Sequence, residues 1–476
     1  MSPDQIGFAL LYLGIFILIG KWLRIRVNWM QNLFLPSSMI AGFLALLVGP
    51  QVIGKLIGLW ASDDSFFISG ALPKSIINVW EELPGLMINI VFATLFLGKR
   101  IPSKKDIVEY GGPQLAFGWM VGWGQYVIGI LLMVLFITPV FGLPSMAGAL
   151  IEIAFEGGHG TAAGMKSTFE KLEFSEGYDL AIGLATVGVL TGVIVGIILI
   201  NWGVRKQKTK VIKDVKGFSK LRKQGIMEYQ NREPAAELTV RTESIEPMSL
   251  HFALVGLAVI IGYIILQLLI WIESVTWGLW TDIEIMTYIP LFPLAMIGGI
   301  ILQYIFSKID NEHILDWRMF NRIQGFALDI LILTAIATVS LDIIGEYIIP
   351  FATLALAGII WNVFAFMFFA KRMIPEYWFE RGIGDFGQST GITATGLLLM
   401  RVVDPDNTSP AFESFGYKQL VYEPFLGGGL VTALSVPIIY NTGPYPFLIF
   451  ATVMSLIGLV IGLFHFGKKQ SHSSKQ

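Results

Sequence analysis

The sequence contains no cysteine, which excludes disulfides, thiolate metal sites and a cysteine nucleophile together. Charge is also scarce. Only 14% of residues are Asp, Glu, Lys or Arg, against about a quarter in a soluble domain. With 5 histidines and no H-E-x-x-H string, zinc chemistry has few ligands to draw on. No G-x-x-x-x-G-K-[ST] string occurs, so nothing here cradles a nucleotide triphosphate as a P-loop does. An ATP-driven pump is thereby excluded, and no enzyme is expected. The formal net charge is −2, which offers nucleic acid no attractive field.

What is abundant is apolar. Hydrophobic residues make up 54% of the chain and mean hydropathy is +0.67, the composition of an all-α polytopic membrane protein. A spanning helix needs about 20 mostly apolar residues. Eleven stretches qualify: 5–20, 33–54, 83–98, 115–138, 178–202, 249–271, 286–306, 324–344, 348–370, 417–440 and 445–466. The first has neither a basic leader nor a small-residue cleavage site, so it is expected to be a retained helix. Glycines inside spanning stretches, such as Gly129 and Gly192, are expected to be ordinary helix positions that tolerate a side chain.

Lys and Arg favour inner loops. With the N-terminus outside, Lys21, Arg24, Arg26, Lys99, Arg100, Lys104, Lys105, Arg381, Lys468, Lys469 and the basic start of loop 203–248 fall inside. Of the 33 Lys and Arg, only Lys55, Lys74, Lys166 and Lys171 fall outside. The outer loops carry Asp63, Asp64, Glu81, Glu82, Glu273, Asp282 and Glu284 instead. The polar loop 203–248 reads as a cytoplasmic linker. Its basic run could also meet anionic lipid headgroups.

Two further segments, about 144–166 and 382–402, are too rich in Gly and polar residues to span. Each follows four spanning stretches of its half and precedes another, and the two are entered from opposite sides. That is the pattern of an inverted repeat with two re-entrant hairpins. Irregular backbone at membrane depth must be buried in protein or line a wet cavity. A half-helix starting in mid-membrane aims free N–H groups at whatever sits there. Together the hairpins would build a polar midplane site for a carboxylate and a small cation. Plain connecting loops are the alternative reading.

Candidate residues follow from this. Gly157, Gly158, His159, Gly160 and Thr161 in the first segment, and Ser389, Thr390, Gly391, Thr393 and Thr395 in the second, are candidate substrate contacts. Carboxylates inside membrane segments are costly and are functional candidates by default. Glu152 and Glu156 lie one helical turn apart and could share a face for ion coupling, or could pair with His159. Asp385 could bind a cation or pair with Arg381. Glu423 is a weaker candidate. Asp329 is ambiguous, and Asp342 and Arg401 read as surface residues.

The run Gly157-Gly158-His159-Gly160-Thr161-Ala162-Ala163 resembles the first re-entrant signature of the sodium/glutamate symporter family of bacteria. Ala181 to Gly188 continues the likeness. Gly384, Gly387, Gly391, Thr393, Thr395 and Met400 fall at the spacing of the second signature, and Leu35 to Gly42 is similar to the family's second-helix entry. The resemblance implies two repeats of five spanning helices plus one hairpin each: 1–202 and 249–440, joined by the linker 203–248. Residues 441–476 would add an extra helix and a cytoplasmic tail. It further implies a homodimer in the bacterial inner membrane, no cofactor, Na⁺ as coupling ion, and uptake of L-glutamate or a related amino acid or organic anion. A proton-coupled transporter of another small solute, or an ion channel, are the alternatives.

The chain departs from the family pattern at Glu156, where a small hydroxyl residue is usual, and at Ala394, where proline is expected. The longer central loop and the eleventh helix are two further departures. A carboxylate at 156 repels an anionic substrate unless it is protonated, paired with a cation or bound to sodium.

The charge bias makes a direct prediction for a chain with no cysteine of its own. A cysteine placed at Ser219 should stay unlabelled by a membrane-impermeant reagent in intact cells and become reactive after permeabilisation. Labelling in intact cells would reverse the orientation.

Overall fold

The computed structural model describes residues 2–60, 69–99, 105, 107–212, 220–281, 284–405 and 407–467, and all regular structure among them is helical. In chain order the helices used below are α1 (Pro3–Arg26), α2 (Ser37–Gly58), α3 (Lys74–Thr94), α4 (Ile107–Phe141), α5 (Leu150–Phe155), α6 (Gly158–Gly164) and α7 (Glu176–Arg205). They continue with α8 (Pro247–Val275), α9 (Leu291–Ile309), α10 (Trp317–Thr338), α11 (Ile348–Met373), α12 (Trp378–Val403), α13 (Ala411–Tyr422), α14 (Leu430–Thr442) and α15 (Pro444–Phe466). Ten of these are long and apolar enough to cross a membrane: α1 to α4, α7 to α11, and α15.

Each predicted stretch has its helix, with three instructive differences. α3 starts at Lys74, well before residue 83. It takes Glu81 and Glu82 on an exposed face and runs through Pro84. α10 starts at Trp317 because Asp316 caps it, accepting from the backbone N–H of Arg318 (3.0 Å) and Met319 (3.2 Å). The stretch 417–440 is not one helix. It is broken between Tyr422 and Leu430, where Gly427 (φ 71°) and Gly428 (φ 104°) turn the chain. Asp63, Asp64, Arg100, Lys104, Asp282, Lys468, Lys469 and position 219, together with part of the basic run, lie outside the described residues.

The chain forms two compact units. The first comprises 1–99, 218–268 and 290–346, and the second 100–217, 269–289 and 347–476. Each unit therefore draws on both halves of the sequence.

In the first unit, α1, α2, α3 and α10 share an apolar cluster of Leu13, Phe16, Ala41, Val79, Trp80 and Leu333. Between helices in hydrocarbon no water is excluded, so packing and hydrogen bonds carry association. Trp80 illustrates both. Its ring meets Phe16 edge-on at 5.8 Å, and its Nε1–H donates to Ala9 O at 3.1 Å. Asp342 lies on the surface and pairs with Lys55 at 2.5 Å, as its position suggested. Asp329 is exposed.

In the second unit, α4 is the most buried of the ten spans. Its Trp123 and Tyr126 pack against Phe447 and Phe450 of α15. α12 folds back on itself at Gly391 and Ile392, whose dihedrals are not helical. The legs touch closely: a Cβ on Gly387 would fall 2.7 Å from Gly396 Cα. α7 runs along this hairpin, with Gly188 so close that a Cβ there would lie 2.4 Å from Thr390 O.

The expectation for Gly129 is overturned. A Cβ there would lie 2.0 Å from Gly148 O, a backbone atom that cannot swing aside. Gly192 is milder, because its nearest neighbour is the Thr395 side chain at 3.2 Å. Gly256, on α8, has nothing within 4 Å. Gly129→Ala should therefore cost about 1–3 kcal/mol by overpacking. Gly256→Ala should be neutral or stabilise by up to about 1 kcal/mol through helix propensity. Melting temperatures of the two variants in detergent check the contrast, which fails if Gly129→Ala melts like the parent.

Candidate functional site

Three backbone breaks meet in the second unit. The first lies between α5 and α6, where Gly158 takes φ 67°. The second is Gly391–Ile392, where Ile392 takes φ 70° and ψ 165°. The third is the turn before α14. A Cβ on Gly158 would sit 2.2 Å from Ile392 Cγ2, so the first two breaks abut. A Cβ on Gly427 would sit 3.5 Å from Glu156 O and 3.7 Å from Gln388 Nε2, which brings in the third.

Glu152 and Glu156 follow each other along α5 into its C-cap, and both are buried. Their partners differ. Glu152 accepts from Tyr126 Oη (2.5 Å), Gly427 N (2.7 Å) and Thr432 Oγ1 (2.9 Å). It thus satisfies a backbone N–H that the third break leaves without a helical partner. Glu156 Oε2 accepts from Gln388 Nε2 at 2.5 Å, while its Oε1 is buried and accepts no hydrogen bond among the described residues.

From Glu156 a chain of polar groups runs through the core. Gln388 Oε1 accepts from Lys418 Nζ at 2.7 Å. That Nζ lies 3.6 Å from Asp385 Oδ1 and 3.9 Å from the centre of the Tyr422 ring. Asp385 Oδ2 accepts from Gln114 Nε2 at 3.2 Å. Arg381 donates through Nε to Gln114 Oε1 (3.2 Å) and through a terminal nitrogen to Tyr110 O (2.8 Å). Of the two alternatives read for Asp385, the pair with Arg381 is not formed: the carboxylate faces Lys418, with Gln114 between it and Arg381. Lys418 and Arg381 are buried, so neither is the inner-loop charge that the orientation count assumed.

The remaining candidates divide. His159 is buried and meets Thr186 Oγ1 at 2.9 Å, not a carboxylate. The Thr186 hydroxyl already donates to Ile182 O at 3.0 Å, so His159 Nε2 is the donor to it. Thr161 Oγ1 is buried and has no hydrogen-bond partner among the described residues. Ser389 O accepts from Gln125 Nε2 (2.7 Å) and Asn362 Nδ2 (2.6 Å), and Asn362 Nδ2 also donates to Thr390 Oγ1 at 3.1 Å. Thr393 Oγ1 accepts from Gln419 Nε2 (2.7 Å) and donates to Glu423 Oε1 (3.2 Å); Thr395 Oγ1 donates to Gly391 O. Arg401 is exposed, and Asp329 and Asp342 belong to the other unit.

Gly387-Gln388-Ser389-Thr390-Gly391 spells G-x-S-x-G. It lies inside a helix leg, with Ser389 Oγ directed to Gln388 Oε1 at 3.5 Å and His159 engaged elsewhere. It is not a strand-to-helix nucleophile elbow.

Lys418, Gln388, Gln114, Gln125, Asn362, Tyr126 and Tyr422 were missed in the sequence. Gln125 and Asn362 stand inside predicted spans, where a buried amide needs a partner, and that signal was available. Lys418 is the second residue of the stretch 417–440 and passed for a terminal charge.

A multi-pass helical protein whose broken helices meet around buried carboxylates and amides is built as an ion-coupled secondary transporter. Residues 5–403 match the family model described as Sodium/glutamate symporter, and the chain belongs to that family. None of the curated proteins compared matches the chain. Its activity is sodium-coupled symport of glutamate, and neither proton coupling nor a channel finds support.

The Glu152 geometry can be tested on its own. Glu152→Ala removes the acceptor shared by Tyr126 Oη, Gly427 N and Thr432 Oγ1, and each donor left unpaired costs about 1–3 kcal/mol. Glu152→Gln keeps an acceptor and should lose less. Melting curves that rank the two variants equally would remove Glu152 from its role at the break.

Proposed function

We propose that substrate and sodium are handled where the three breaks meet, in a site shared by two oppositely inserted re-entrant hairpins. The single observation that carries this is the contact of Gly158 with Ile392. Two breaks far apart in sequence abut among buried polar groups, which is costly in a bundle unless a ligand uses them. Gly157, Gly158, His159, Gly160 and Thr161, with Ser389, Thr390, Gly391, Thr393 and Thr395, then supply backbone and hydroxyl groups to the substrate carboxylates.

Glu156 is the first ion-coupling residue in this reading, since its Oε1 accepts no hydrogen bond among the described residues, whereas Glu152 already receives three. Asp385 is occupied by Lys418 and Gln114. The two hairpins belong to inverted repeats, 1–202 and 249–440, that alternate access to the site. The protein imports glutamate across a bacterial inner membrane as a homodimer, with the N-terminus outside and the linker and C-terminus in the cytoplasm. It is a transporter and performs no chemistry on its substrate.

Uptake of radiolabelled glutamate into proteoliposomes should require an inward sodium gradient and should ignore an imposed pH gradient. Gly158→Val should abolish glutamate-dependent thermal stabilisation without altering the size-exclusion profile, because Gly158 has φ 67° and a Cβ would strike Ile392. A variant that binds glutamate like the parent would sink the shared site and leave the family activity intact.

A further inference from the structure

We propose that Lys418 is a tethered cation: its ammonium fills a cation subsite between Asp385 and Gln388 that a sodium ion occupies once the lysine is removed. The inference rests on sodium-coupled symport and goes beyond it, by assigning one positive charge of the site to the chain itself.

The surroundings of Nζ are those of a cation site. Its neighbours are an amide oxygen at 2.7 Å, a carboxylate oxygen at 3.6 Å and the face of an aromatic ring at 3.9 Å. Each is attractive to a positive charge, the ring through its quadrupole. Lys418 and Asp385 are both fully buried. Asp385 Oδ1 accepts no hydrogen bond among the described residues, and the nearest cation to it is the ammonium of Lys418. Arg381 does not replace it, since its donors go to Gln114 and Tyr110.

Gln388 extends the effect. Its amide donates to Glu156 and accepts from Lys418, which fixes its orientation. Glu156 and Asp385 thus share one ammonium, the first through a dipole and the second directly. Taking Lys418 away leaves a buried carboxylate and an amide oxygen without the positive charge they now face. A buried carboxylate without a partner draws in whatever cation fits.

The test compares the parent with Lys418→Gln and Lys418→Ala, purified in detergent without glutamate. Melting temperatures are read in NaCl and in choline chloride at equal ionic strength. The expected result is a sodium-specific rise larger in the variants than in the parent, and lost again in Lys418→Gln/Asp385→Asn. In proteoliposomes, the sodium dependence of any remaining uptake by Lys418→Gln should steepen by an additional ion. A variant that folds only in NaCl or ethylammonium chloride, and not in choline chloride, supports the same conclusion. Equal sodium shifts in parent and variants overturn it, as does a variant that no cation rescues. Loss of glutamate stabilisation with an unchanged sodium response also overturns it, by making Lys418 a substrate ligand. Sodium-driven uptake by the parent is measured alongside; its failure would strike the symport reading and leave the thermal comparison standing.

Discussion

A helix broken inside a membrane protein exposes N–H and C=O groups that hydrocarbon cannot satisfy, and the second unit is organised around meeting that need with side chains. Gly427 N, at the third break, is taken by Glu152. Ser389 O, at the end of the first leg of α12, is taken by Gln125 and Asn362 together. Gly391 O is taken by the hydroxyl of Thr395, one turn on. The polar residues that read as a binding site are thus also what makes the breaks tolerable. Removing them exposes backbone as well as losing a ligand contact, so structure and function are hard to separate by single deletions and need conservative partners such as Glu152→Gln.

The same economy governs charge. Glu152, Glu156, Asp385, Arg381 and Lys418 are all buried. Ionised groups in such surroundings persist when paired or hydrogen-bonded. Glu152 is held by three donors, with no ion pair among the described residues. Arg381 is held by a side-chain amide and a backbone carbonyl. Asp385 and Lys418 face each other, and Gln388 passes part of that field to Glu156. Glu156 is one of the two positions read in the sequence as departures from the family resemblance. It stands at the end of a relay that starts on a lysine, which is how this carboxylate is accommodated in the core.

Hydropathy made most of the helices legible, and Gly157-Gly158 marked the first break, whereas the second falls at Gly391–Ile392, four residues beyond the Gly387 that the sequence suggested as its turning point. The third break was equally visible as Gly427-Gly428-Gly429 behind Pro424, yet the apolar count over 417–440 outweighed it. Partner choice was not legible. Nothing in spacing says that Asp385 meets Lys418 and not Arg381, four residues away on the same helix, because the deciding neighbour comes from α13. The glycines show the same limit. Gly129 and Gly256 look alike in sequence, and only the approach of Gly148 to one of them separates a tight contact from an open face.

Ile392 is the least expected residue of the site. A β-branched side chain at φ 70° is strongly disfavoured, at about 1–3 kcal/mol, and persists only where the surroundings over-determine it. Glycine would turn the chain at less cost. The difference is the methyl group, which reaches the place where Gly158 has no side chain. Gly158 itself has φ 67°, so the first break needs the residue without a Cβ and the second supplies the atoms that cover it. The two breaks are therefore complementary in shape as well as adjacent, and neither can shift without uncovering the other's backbone. That contact places α6 at Gly158 directly against the turn that ends the leg carrying Asp385 and Gln388.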